Sequence, residues 1–142
     1  MKKKIYPTNP IINTKVTLNL IKECLDNSFP NESVLTKKLE NIFKKILRVR
    51  YVILTTSGTS AIYLALRAHN IGKGDEVIIP NITFPATANA VHMTGAKVVL
   101  ADVSSHNLLL NVDSLHAKFT KNTKAIVPVH ISGRGNNIRN LK

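Results

Sequence analysis

The chain has 142 residues, the size of one ordinary domain, and its 44% apolar content supports a packed core and excludes a disordered chain. One cysteine, Cys24, excludes an intrachain disulfide, and the longest apolar runs, such as Val77-Ile78-Ile79, fall far short of the roughly 20 residues that span a bilayer. The formal charge of +12 is spread along the chain, with 11 basic and 4 acidic side chains in residues 1–50 and 9 and 4 in residues 51–142, which argues against a dedicated nucleic-acid face.

The first ten residues, with two prolines and Lys2-Lys3-Lys4, read as an extended arm. No apolar stretch of signal-peptide length follows them, so a cytoplasmic protein is expected, with neither membrane nor nucleic acid as partner. Thr14 to Asn27 carries apolar residues at helical spacing, and Ser28-Phe29-Pro30-Asn31 breaks the pattern. Val34 to Leu47 repeats the pattern, with Leu35, Leu39, Ile42, Phe43, Ile46 and Leu47 on one face and Lys37, Lys38, Glu40, Lys44 and Lys45 on the other.

The texture changes at residue 51. Tyr51-Val52-Ile53-Leu54 is a short apolar, β-branched run, which predicts a strand buried on both faces, as in a parallel sheet. Thr55 to Ser60 predicts a turn and Ala61 to Ala68 a helix, ended by Gly72-Lys73-Gly74-Asp75. A strand is expected over Glu76 to Ile79, a helix over Pro85 to Met93 closed by Gly95, and a strand over Lys97 to Ala101. Val112 to Phe119 predicts a helix with Asp113 as N-cap or first-turn residue, and Lys124 to Val129 a fourth strand. Strands alternating with helices imply βαβ units and an α/β fold with a mostly parallel sheet. Such sheets bind ligands beyond the carboxyl ends of their strands.

Three clusters fall at those ends. Thr56-Ser57-Gly58-Thr59-Ser60 runs from a predicted strand into a helix. The first N–H groups of a helix have no internal partner and carry partial positive charge. Two roles fit the segment, a phosphate cradle and a plain N-cap by Ser57 or Thr56. At Phe84 an aromatic ring can stack on a planar ligand or pack inward. His130 beside Val129 suits a hydrogen-bonded core residue better than a catalyst. The five histidines and one cysteine have no metal-ligand spacing, so no metal is expected.

The run TTSGTSAIYLALRAHNIGKGDEVIIPNITFPATANAVHMTGAKVVLADV closely resembles the DegT-type sugar aminotransferases. These are pyridoxal-phosphate enzymes of the aspartate-aminotransferase-like fold (fold type I) that act on nucleotide-linked keto-sugars. NTKAIVPVH-x-SG at 122–133 and Leu39-Glu40 continue the match, which covers about residues 11–142 in the family's order. The resemblance implies that Gly58, Thr59 and Ser60 hold the phosphate of pyridoxal 5'-phosphate and that Phe84 stacks on its ring. Thr87 is a weaker candidate in the same stretch, and His130 matches a common family position with no role implied.

In the family the Schiff-base lysine and the acid that pairs with the pyridinium nitrogen come after the position of residue 142. The resemblance therefore implies no catalytic residue in this chain. It implies the N-terminal part of such an enzyme, inactive alone: residues 1–50 as arm and helices, residues 51–142 as an incomplete cofactor-binding large domain. The complete enzyme would be a homodimer that passes an amino group from glutamate to a nucleotide-linked keto-sugar, for polysaccharide biosynthesis. A sugar dehydratase of the same fold and a non-catalytic remnant or accessory subunit are the alternatives.

Overall fold

The computed structural model describes residues 12–26 and 34–141. The expected extended arm and the Ser28–Asn31 break lie outside the described residues. Two compact units divide between Leu54 and Thr55.

The first unit holds helices α1 (Thr14–Leu25) and α2 (Val34–Leu47). Asn13 caps α1, its side chain accepting the Val16 N–H at 3.2 Å. Neither helix has a buried residue, and the apolar stripe of α2, Leu39, Ile42, Phe43 and Ile46, is exposed. Lys38 of α2 pairs with Glu23 of α1, and the Glu40 carboxylate accepts the Leu54 N–H at 3.3 Å.

The expected strand over Tyr51–Leu54 is absent, so the sheet has three strands rather than four. Tyr51 and Ile53 are 71% and 79% exposed. A strand exists through its ladder, and this run finds no backbone partner among the described residues. Its composition is that of a buried strand, but composition cannot supply the neighbour.

The second unit is three-layered. Its parallel sheet has the order β2-β1-β3, with β1 at Glu76–Pro80, β2 at Lys97–Ala101 and β3 at Thr123–Ile126. Every residue of central β1 is buried, as two covered faces require. On one face Val77 and Ile79 pack with Leu66 of α3 (Gly58–Ala68) and Val91 of α4 (Ala86–Thr94). On the other Ile78 packs with Ala101, Leu110, Leu141 and Leu115 of α5 (Val112–Ala117). The period of two along β1 thus feeds two separate cores.

Termini follow local chemistry. Gly95 ends α4 at φ 83°, a left-handed value that suits glycine. Asn111 caps α5, accepting the Ser114 N–H at 2.8 Å, so Asp113 sits in the first turn. Helix α5 ends at Ala117, two residues before the expected end at Phe119, because the Lys118 N–H turns back to the Leu115 carbonyl.

Glu76 opens β1 as a buried carboxylate. Lys97, directly across the β1–β2 ladder, reaches Oε1 at 2.8 Å, and the Thr120 hydroxyl donates to Oε2 at 2.6 Å. The Lys97 hydrogen bond first, then that of Thr120, holds the Glu76 carboxyl below the ordinary glutamate value. A lowered folded pKa adds stability that is complete above the unfolded glutamate value and is lost as pH falls through the folded one. Glu76→Gln is therefore expected to flatten acid unfolding in that window, measured by urea melts across acidic pH. An unchanged slope of stability against pH would refute it.

Candidate functional site

The carboxyl edge of the sheet carries the loop Asn81–Pro85, Asp102 and the segment after β3. In the same unit the turn Thr55–Ser57 leads into α3. That helix begins at Gly58, three residues earlier than the sequence predicts, because Ser57 caps it. The Ser57 Oγ accepts the Ser60 N–H at 3.1 Å and lies 3.0 Å from the Ser60 Oγ. The Ser57 carbonyl accepts the Ala61 N–H at 3.1 Å. The cap is thus real, and it spends the Ser60 N–H. The Gly58 and Thr59 N–H groups have no acceptor among the described residues, nor has the Thr59 hydroxyl. They form an open donor pair at the positive end of an 11-residue helix. A Cβ built on Gly58 would meet no protein atom within 4 Å, so the space beside the Gly58 backbone is open.

Phe84 does not pack inward; it is 79% exposed. Its loop is tied at both ends. Asn81 donates its backbone N–H to the Ala101 carbonyl at 2.9 Å and its side-chain N–H to Asp102 Oδ1 at 2.9 Å. The Thr83 hydroxyl lies 2.8 Å from that of buried Thr87, and the Thr87 N–H donates to the Phe84 carbonyl at 3.0 Å. The ring is thus an exposed apolar surface on a tethered loop. Thr87 acts within that tether.

His130 is exposed rather than in the core, and it is hydrogen-bonded: its Nδ1 accepts the Asn136 N–H at 2.9 Å. The sequence marks Asn81 and Asp102 only as residues at strand ends, without their mutual bond, and gives no sign of Asn136. Their roles rest on partners 21, 21 and 26 residues away, which no local pattern reports.

The lysines occupy the opposite edge. Lys73 precedes β1, Lys97 opens β2, Lys118 and Lys121 precede β3, and Lys124 is its second residue. Among the described residues from Thr55 onward, none follows the carboxyl end of a strand. A groove of about 740 Å³ is also away from the Gly58 end: it runs between Ile62–Asn70 of α3 and its exit and the open edge of β3 at Lys124–Val127. Among the described residues no three His, Cys, Asp or Glu side chains converge as metal ligands, and no helix is long and apolar enough to cross a membrane.

The sheet is parallel, with helix α3 leading from a capped turn and Phe84 exposed beyond the carboxyl end of β1. Residues 12–142 match the DegT/DnrJ/EryC1/StrS aminotransferase family, and the chain belongs to that family. It is 37% identical over 114 residues to the GDP-perosamine synthase of Escherichia coli O157:H7, covering 80% of this chain and 31% of that protein. It is 35% identical over 120 residues to the spore coat polysaccharide biosynthesis protein SpsC of Bacillus subtilis, covering 84% and 31%. Among solved structures, NtdA of Bacillus subtilis with bound cofactor PMP superposes with a TM-score of 0.83 at 32% identity, over 99% of this chain and 34% of that one. The fold is therefore that of the PLP-dependent aminotransferases, and the chain spans about a third of the length of these relatives.

Proposed function

We propose that this chain supplies the phosphate- and ring-binding wall of a nucleotide-sugar aminotransferase that uses pyridoxal 5'-phosphate. The reading is carried by one observation: the open Gly58 and Thr59 donors and the bare Phe84 ring share one unit with a parallel sheet of this family's fold. Residues 51–142 are then part of the cofactor-binding large domain, and residues 1–50 its N-terminal arm and helices. The residues present fit the group, because its two binding surfaces are both unobstructed.

When bound, the cofactor supplies an electron sink and a carrier for the amino group. The Gly58 and Thr59 N–H groups and the Thr59 hydroxyl bind and orient the phosphate, and Ser60 contributes only through its hydroxyl. Phe84 covers one face of the ring and excludes water from it. Asn81 and Thr87 keep Phe84 in place. The substrates are glutamate and a nucleotide-linked keto-sugar, whose phosphates suit a chain of charge +12, and the complete enzyme is a homodimer. The described lysines from Thr55 onward are not placed for covalent attachment, since they lie at the amino edge. The chain alone is inactive in transamination.

The test is a titration of the 142-residue chain with pyridoxamine 5'-phosphate, followed by NMR. The Gly58 and Thr59 amides and the Phe84 ring are expected to shift together and saturate; unmoved signals at all three would overturn the reading. A second expectation follows from the lysine placement. Borohydride treatment with pyridoxal 5'-phosphate should label surface lysines diffusely, as read by peptide mass spectrometry. One lysine among Lys73, Lys97, Lys118, Lys121 and Lys124 taking most of the label would contradict it.

A further inference from the structure

Asn136 joins three strands of chain with one residue. Its Oδ1 accepts the Leu110 N–H at 3.1 Å, and its Nδ2 donates to the Val129 carbonyl at 2.7 Å. Its backbone N–H donates to His130 Nδ1 at 2.9 Å, with its Nδ2 also 3.2 Å from that nitrogen. A backbone N–H can only donate and a backbone carbonyl can only accept. The Asn136 amide orientation is thus fixed by its own partners. By the same logic His130 Nδ1 must present a lone pair, so the neutral ring carries its proton on Nε2. Nε2 has no partner among the described residues, and the side chain is exposed.

The backbone builds this arrangement deliberately. The Val127 N–H donates to the Ile78 carbonyl at 2.9 Å, which carries the β1–β3 ladder one residue past β3. His130 therefore follows the carboxyl end of β3, beside the strand whose own carboxyl end leads to Phe84. After His130 the chain bends through a 3-10 turn, Ile131–Gly133, with Ser132 at φ 50° and Gly133 at φ 77°. A left-handed serine is a strained position that surrounding structure must hold. The bend returns Asn136 to the histidine it locks.

We infer that His130 is a ligand-binding residue that donates from Nε2–H to an anionic oxygen, and that Asn136 is its positioning residue. The inference rests on the cofactor-site reading above. The oxygen belongs either to the cofactor or to the diphosphate of the nucleotide-linked substrate.

The experiment is long-range ¹H–¹⁵N NMR of the histidine rings in the 142-residue chain. Without ligand, His130 is expected as the Nε2–H form alone; the Nδ1–H form, or an even mixture, overturns the inference. Pyridoxamine 5'-phosphate and GDP are then added in separate titrations. Movement of the His130 Nε2 signal with the first assigns the oxygen to the cofactor, and with GDP alone to the substrate. No movement with either overturns the inference, while shifts of the Gly58 and Thr59 amides in backbone ¹H–¹⁵N spectra of the same samples would leave the cofactor reading standing. His130→Phe keeps a flat aromatic ring but removes the N–H donor, and should weaken binding of the effective ligand about 10-fold. Asn136→Asp removes the donor to Val129 but keeps an acceptor for Leu110, and is expected to mix the two ring forms; an unchanged ring would refute the positioning role.

Discussion

Ile78→Ala is expected to remove about 2–5 kcal/mol of stability, a large share of the about 5–15 kcal/mol that holds an ordinary domain together. Ile78 is fully buried at the middle of β1, the one strand paired on both edges. It is the sheet's central contribution to the core formed with Ala101, Leu110, Leu115 and Leu141. That core is small, so the cavity has few neighbours able to collapse into it. Leu100→Ala is the control, since Leu100 is 54% exposed on edge strand β2 and should cost far less. Urea melts of both variants measure the difference, and Ile78→Ala should lower the midpoint with little change in slope. Equal midpoints would mean that the second core contributes nothing to folding. The consequence reaches the candidate site, because β1 carries the Asn81–Pro85 loop at its carboxyl end.

Much of this architecture is legible in residue order alone, and the exceptions share a cause. The helix Val34–Leu47 and the strand Lys97–Ala101 stand at the limits that their periodicity predicts. Both are decided by local information, an apolar stripe in one case and a β-branched run between turns in the other. Tyr51–Leu54 has an equally strong strand composition and forms none, because pairing is a property of two segments and composition of one. The start of α3 moves from Ala61 to Gly58 because Ser57 caps it. That cap divides the predicted site: Gly58 and Thr59 keep free donors and Ser60 does not. The two readings of the turn, cap and cradle, are both compatible with the same residues, since capping by Ser57 satisfies the Ser60 N–H while two others stay open. Phe84 shows a different limit. A phenylalanine at a strand end packs inward unless its loop is held outward, and what holds it is Asn81 with Ala101 and Asp102, partners on another strand.

The largest effect on ligand binding is expected at the α3 N-terminus. Gly58 has no left-handed φ, and a Cβ there would meet no protein atom within 4 Å. Gly58→Val should therefore fold with stability close to the parent, and its cost should fall on the ligand, whose phosphate must reach the Gly58 and Thr59 N–H groups. Thr59→Val keeps the volume and removes one charge-assisted hydrogen bond, worth about 1.5–3 kcal/mol, or on the order of 10- to 150-fold in affinity. Phe84→Leu keeps an apolar surface and loses only the stacking preference, about 0.5–1.5 kcal/mol. With Phe84 79% exposed, that variant should also melt like the parent. The expected order of damage to pyridoxamine 5'-phosphate binding is Gly58→Val, then Thr59→Val, then Phe84→Leu, measured by calorimetric titration after each melt has been checked. Ser57→Ala provides the contrast: it removes the cap and should cost about 0.5–2 kcal/mol of stability while leaving the Gly58 and Thr59 donors in place. If Thr59→Val bound the ligand as tightly as the parent in a folded chain, the turn would serve α3 as a cap and nothing more, and the phosphate would have to be held elsewhere on the carboxyl edge.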